Sequence, residues 1–262
     1  MILKNLLGGA VVGAALLLAG TAASTSAMAV TIGFSQVGDE GDWRPAWTKD
    51  MQEEAKAAGI PVFTADRDVD VKDKSLFVTR ISADFNLEGR LAGAWLAQAS
   101  KGNCNIVELQ GTTGAAPAIE RKKGFEAIIS NFPGMKIVKT QSGDFTTEGG
   151  KKVMEAFIKS TDNLKDICGV FAHNDNMQFG AIQAMKEAGL KPGVDFKMVS
   201  VDYVPAMKTA LAAGDANASV ELRSAIGKYI YPVVLQYLKD KKELPKWIVI
   251  PGDLHTAATP QN

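Results

Sequence analysis

The 262-residue chain balances 29 lysines and arginines against 29 aspartates and glutamates, so it lacks the basic excess that nucleic-acid binding requires. Its two histidines and two widely separated cysteines offer neither a zinc-type cluster nor a CxxC redox motif. The length can bury a sizeable core and suits one large domain or two lobes better than three.

At the start, Lys4 precedes an Ala/Leu-rich apolar run over residues 6–23, and Ala27-Met28-Ala29 supplies the small-x-small pattern of a signal-peptidase site. Gly8, Gly9, Gly13 and Gly20 interrupt the run, which suits cleavage after Ala29 better than a resident membrane helix. No second apolar run of spanning length follows, so the mature chain is expected to be exported and soluble. In an oxidising compartment Cys104 and Cys168 read first as a disulfide, with two free buried thiols as the alternative.

Beyond residue 30, short β-rich runs alternate with segments of helical period. Residues 30–35 read as a strand, 48–58 as a helix closed by Gly59 and Pro61, 60–65 and 76–81 as strands, and 87–100 as an amphipathic helix. Strands over 105–110, 136–141, 168–172, 196–201 and 218–222 are then separated by helices over 118–130, 148–160, 177–188 and 205–213, and residues 226–240 form a last helix. Strands of about five residues between helices of about ten predict parallel, doubly wound sheets. The series over 103–222 is complete and that over 30–100 is shorter, with Lys101-Gly102-Asn103 between them. The expectation is an α/β chain of two lobes.

Ligands in such sheets sit beyond the carboxyl ends of the strands. Gln36 and then Trp43-Arg44 follow the first strand, and Asp66-Arg67 follow the second. Arg121 lies early in the helix behind Gly111–Gly114. Asp144-Phe145, Asn174-Asp175 and Asp202 each follow a strand, and Glu221 closes the last. A sugar hydroxyl both donates and accepts, so carboxylates, amides and guanidinium forks hold it well, while Trp43 and Phe145 can cover an apolar ring face. Strand-end Asp and Asn also cap helices, and Trp43 could be ordinary core. Two enzyme readings fail. His173-Asn174-Asp175 has no G-x-S-x-G turn, and residues 143–152 lack P-loop glycine spacing. A glycosidase carboxylate pair among Asp66, Asp144, Asp202 and Glu221 stays open, because the sequence does not give separations. No catalysis, cofactor or metal is expected.

On the segments Ile32–Gln36, Gly59–Arg67, Arg121–Phe125, Phe171–Met177 and Gly214–Ser219, the chain resembles the periplasmic binding proteins for pentoses and hexoses. These have the type I fold of two doubly wound lobes joined by a hinge, and they feed ABC transporters. Within that family Glu108–Gly111, Ser142–Phe145 and Ala218–Leu222 are most similar to galactofuranose-binding proteins.

The resemblance implies residues 30–101 with 223–248 as one lobe, and 102–222 with 249–262 as the other. It implies a periplasmic monomer that binds a monosaccharide and docks on permease subunits, with no nucleic-acid partner. A periplasmic sugar sensor for a chemoreceptor or kinase, and a remnant that binds nothing, are the alternatives. Asp66 and Arg67 would hold hydroxyls from the first lobe, and Trp43 and Arg44 would cover and clamp from the first loop. Arg121, Asn174 and Asp202 would reach in from the second lobe, Phe145 would lie against the ring, and Glu221 near the hinge. Asp84 would mark the first lobe's edge, followed by Phe85 where the family carries asparagine. The family's strand order also places Cys104 and Cys168 at neighbouring strand starts. Between Trp43-Arg44 and Trp47-Thr48, roughly 45 residues of the family pattern are absent, about two strand–helix units, so the first lobe is expected to be shortened.

Overall fold

The computed structural model describes residues 43–69, 71–161 and 163–257, with side chains from residue 49 onward. The expected signal segment, the first strand and Gln36 lie outside the described residues. Two sheets organise the rest. Strands β1 (Phe63–Ala65), β2 (Thr79–Ser82) and β8 (Trp247–Val249) form a parallel three-stranded sheet in the order β1-β2-β8. Strands β3 (Asn103–Gln110), β4 (Gly134–Ser142), β5 (Ile167–Ala172), β6 (Lys197–Asp202) and β7 (Ala218–Glu221) are parallel, and β9 (Leu254–Thr256) adds an antiparallel edge in the order β4-β3-β5-β6-β7-β9.

The series of five strands and four helices read over residues 103–222 is present, with α3 (Ala116–Ile129), α4 (Thr147–Lys159), α5 (Asp175–Glu187) and α6 (Pro205–Ala213) between the strands. Both faces of this sheet are covered, which is why its strands read as near-continuous apolar runs. One core joins Val107, Leu109, Val170 and Met198 to Val153 and Phe157 of α4, Met177 and Met185 of α5, and Met207 and Leu211 of α6. The other joins Ile106, Phe171, Val199 and Val220 to Phe125 of α3 and to Ala92 and Leu96 of α2 (Phe85–Ala99).

That position of α2 corrects the reading that ended the first series at Lys101-Gly102-Asn103. The apolar face of α2 is buried on the six-stranded sheet, so the chain leaves the small sheet right after β2. Two strand starts also move. Pro61 has no N–H for a ladder, and β1 begins at Phe63. Asp73 accepts from the Ser75 N–H, which winds Lys74–Leu76 into a 3-10 turn, and β2 begins at Thr79. The three-residue strands β8 and β9 were not read at all.

Among the described residues the small sheet is thinly covered. α1 (Trp43–Ala57) and α7 (Gly227–Asp240) belong to this half, with the Phe63 and Tyr237 rings edge to face at 5.5 Å. No residue of α7 is fully buried, and its apolar Tyr231 and Leu235 are 70% and 65% exposed. Native exchange should therefore report two stabilities: amides of β1, β2 and β8 exchanging well before those of β3, β5 and β6. Equal protection of both sheets by hydrogen exchange would contradict it.

Cys104, in β3, and Cys168, in β5, are disulfide-bonded with Cα atoms 5.3 Å apart, at the strand starts. The bond closes a 64-residue separation. Replacing both cysteines by serine should lower unfolding free energy by about 2–4 kcal/mol, measured by urea denaturation of the two proteins side by side.

Candidate functional site

The chain passes between the sheets three times, at residues 83–84, 222–226 and 250–253. These crossovers back a cleft of about 450 Å³ at the carboxyl ends of both parallel sheets. Asp66, Ser82 and Ala83 line it from the small sheet, Asp202, Tyr203 and Glu221 from the large one, and Leu222, Arg223 and Ile250 from the crossovers.

Several carboxyl strand ends are conformationally strained, at the cleft lining and, after β4, beyond it. Asp66 (φ 66°) follows β1, Asp144 (53°) and Phe145 (60°) follow β4, and Asp202 (116°) and Tyr203 (54°) stand at the end of β6. Left-handed φ values are costly for side-chain-bearing residues, and they persist where the surroundings over-determine them, commonly at functional sites. The surroundings of Asp202-Tyr203 are visible. Buried Asp175 accepts hydrogen bonds from Ser200 (2.6 Å), Ser219 (2.9 Å) and the Val204 N–H (2.8 Å), and Ser219 accepts from the Tyr203 N–H (3.1 Å). Phe145 sits across Gly111, where any side chain would run into its ring.

Arg121 is the centre of charge. It is only 2% exposed, yet it carries a full guanidinium. Nε donates to Glu88 Oε2 at 2.8 Å and Nη1 to the His173 carbonyl at 2.7 Å, while Nη2 lies 3.7 Å from Asp202 Oδ1 and has no hydrogen-bond partner. His173 is itself fixed: its Nδ1 accepts from the Gly111 N–H (3.3 Å), and its Nε2 faces Glu108 Oε1 (3.1 Å). Glu108 also accepts from Lys122 (2.8 Å) and Thr140 (2.6 Å). Burial alone would raise the Glu108 carboxyl, but hydrogen bonds from His173, Gln110 and Lys122 outweigh it and hold the group at about 2.

The cleft acids behave oppositely. Burial pushes Asp202 up to about 6, against the pull of Arg121 and with the help of Asp66. Burial takes Asp175 to about 7. Asp66 stands at the open mouth of the cleft, yet the bulk around it raises its carboxyl against Arg67, Arg121 and Arg80. Each of these groups titrates higher folded than unfolded. The stability it lends is complete at acid pH, where it is protonated in both states, and is lost as pH rises toward its folded value.

Of the residues named from sequence, Asp66, Asp202 and Glu221 line the cleft, and Arg67 and Arg121 lie within electrostatic reach of Asp66. Glu221 is 3.4 Å from Arg223 and 3.6 Å from His255. Asn174 caps α5 through the Met177 N–H (3.0 Å) and donates to the Phe145 carbonyl (3.1 Å), so it holds the Phe145 loop. Asp84 caps α2 through the Leu87 N–H (2.9 Å). Trp43 and Arg44 fall in the opening turn of α1 rather than in a loop, and their side chains lie outside the described residues. Sequence reasoning missed Tyr203, which stacks on His255 at 3.6 Å, and Glu88. Tyr203 follows a strand-end aspartate and could have been found; Glu88, inside a helix, gave no signal.

Two α/β sheets opening on a shared cleft define a hinged binding protein, and comparison with known proteins agrees. The model of the periplasmic binding protein domain matches residues 42–242, and the chain belongs to that family. It is 43% identical to the galactofuranose-binding protein of Escherichia coli over 281 aligned positions, covering 86% of this chain and 88% of that one. Those positions outnumber the residues of this chain that enter the alignment, so the relative carries residues without a counterpart here. It is 31% identical to the ribose import binding protein of Salmonella typhimurium, over 74% of this chain and 63% of that protein, so it spans less than two thirds of that relative. Among solved structures it is 48% identical, with a TM-score of 0.78, to the binding component of the arabinose ABC transporter of Shewanella sp. ANA-3 bound to L-arabinofuranose; the match covers 83% of this chain and 70% of that one.

Replacing Asp202 by Asn removes a carboxyl that must ionise in a buried place. The variant should gain about 1 kcal/mol of stability at pH 8 and little at pH 4, flattening the decline between them, as read from urea midpoints.

Proposed function

We propose that the chain is the periplasmic substrate-binding component of an ABC sugar importer and that its cleft takes a monosaccharide in furanose form. The observation that carries this is the gathering of Asp66, Arg121 and Asp202 at the facing carboxyl ends of two sheets, with a buried guanidinium N–H group left without a hydrogen-bond partner. Sugar hydroxyls donate to carboxylates and accept from guanidinium nitrogens, which is what this set needs. The relatives that bind galactofuranose and arabinofuranose support the five-membered ring.

Asp66 and Arg67 hold the sugar from the small sheet, and Arg121 and Asp202 from the large one, with Phe145 and Trp43 against the ring and Gln36, Arg44, Asn174 and Glu221 completing the shell. A sugar that contacts both sets gains most of its contacts when the cleft narrows, so it shifts the population toward the closed form. The three crossovers are the hinge. Permease subunits then recognise the closed monomer. No bond is made or broken, and no cofactor is needed. Export follows cleavage after Ala29, and the first lobe is a shortened version of the family's.

Titration calorimetry of the mature chain against galactofuranose, arabinofuranose, ribose and galactose tests the reading, with saturable heat expected for a furanose and none for any sugar rejecting it. Arg121→Met should weaken binding about 10- to 100-fold. Affinity should also fall as pH drops below about 6, because Asp202 then takes up a proton and loses acceptor capacity.

A further inference from the structure

We infer that Glu88, on α2 and outside the cleft lining, is the positioning residue that aims Arg121 and so sets which hydroxyl arrangement the site accepts. This rests on the sugar-binding reading above.

The contact is built by backbone proximity. α2 and α3 cross at glycines on both sides: a side chain at Gly89 would strike the Arg121 carbonyl, and one at Gly124 would strike the Asn86 carbonyl. With no Cβ between them, the first turn of α2 reaches the base of the Arg121 side chain. A guanidinium has five N–H donors in a rigid plane, so fixing two directions fixes the third. Glu88 Oε2 takes Nε at 2.8 Å, and the His173 carbonyl takes Nη1 at 2.7 Å. The Phe85 ring lies 5.5 Å from Cζ and supports the plane. Only Nη2 is left, near Asp202 at 3.7 Å and without a hydrogen bond.

Glu88 is in an expensive position that packing alone does not explain. It is 4% exposed, and its second oxygen, Oε1, has no hydrogen-bond partner. A buried carboxylate with one oxygen unpaired destabilises the fold unless a charge nearby compensates, and Arg121 is that charge. The groups facing it are Arg121 from α3, Asp202 from the end of β6 and Asp66 from the end of β1. Burial lifts Glu88 to about 7, Arg121 opposes the rise, and the two aspartates add to it. Ionised Glu88 grips Nε with a charge-assisted bond; protonated Glu88 holds it more weakly. Sugar affinity therefore rises with pH through about 7, a step separate from that of Asp202.

The test is calorimetry of the mature protein with the sugar that binds best, across pH, on wild type, Glu88→Gln and Glu88→Ala. Glu88→Gln keeps an acceptor for Nε and loses the charge. It should bind within about threefold of wild type at neutral pH and lack the inflection near 7. Glu88→Ala should lose about tenfold, and the loss should vanish in an Arg121→Met background. A purely structural Glu88 would change melting temperature but neither the pH profile nor the coupling to Arg121. Wild-type affinity in Glu88→Ala, an unchanged inflection in Glu88→Gln, or additive losses with Arg121→Met would each overturn the inference. If Glu88→Ala does not fold, Glu88→Gln decides. Should wild type bind no sugar, the sugar reading fails on its own. The Arg121 Nε–H NMR resonance then tests the contact separately: a shift with midpoint near 7 in wild type but not in Glu88→Gln supports it, and identical behaviour overturns it.

Discussion

A single buried guanidinium organises this protein. Arg121 sits between the two sheets' carboxyl ends with a full positive charge and almost no water, which is tolerable only because three acids and a backbone carbonyl surround it. The acids come from separate parts of the chain: Glu88 from α2, Asp202 from β6 and Asp66 from β1. Burial raises each carboxyl, with Asp66 adding to the rise at Asp202 and both aspartates adding to it at Glu88, while Arg121 pulls all three the other way. The site is a balance of charges around one buried guanidinium.

The same logic explains the layers beneath. The Glu108 carboxylate is saturated with donors and holds His173, which presents its carbonyl to Arg121 and fixes the turn at Gly111. Asp175 pins the loop that carries Asp202 through two serine hydroxyls and a backbone amide. These supports lie on the six-stranded sheet, whose two cores make it rigid. Strain at Asp202 and Tyr203 can be sustained because the framework under them does not give.

Much of this was legible in the residues. The alternation over 103–222 showed the five parallel strands of the large sheet and the four helices between them, because the inner strands are buried on both faces and read as apolar runs. Asp66, Asp202 and Glu221 stand at the ends of strands that converge in parallel sheets, which is why their place beside the cleft was legible in the sequence. The allegiance of α2 was not. A helical period says that a face is buried but not against what, and only the packing of Ala92 and Leu96 into the core of the six-stranded sheet decides it. β8 and β9 carry too few residues to show a period. Glu88 is hidden for a related reason: a glutamate in the first turn of a helix reads as a favourable dipole partner, and its burial depends on a glycine crossing that only three dimensions reveal.

The uncovered stripe on α7 has a consequence for what an affinity measurement means. A half whose helix leaves Tyr231 and Leu235 in water contributes little burial of its own, so it opens more readily than the sheet it faces. Asp66 and Arg67 belong to that half, and a ligand that needs them must first find it ordered. For any ligand held by that half, the apparent dissociation constant is the intrinsic value divided by the ordered fraction, so binding and ordering are coupled.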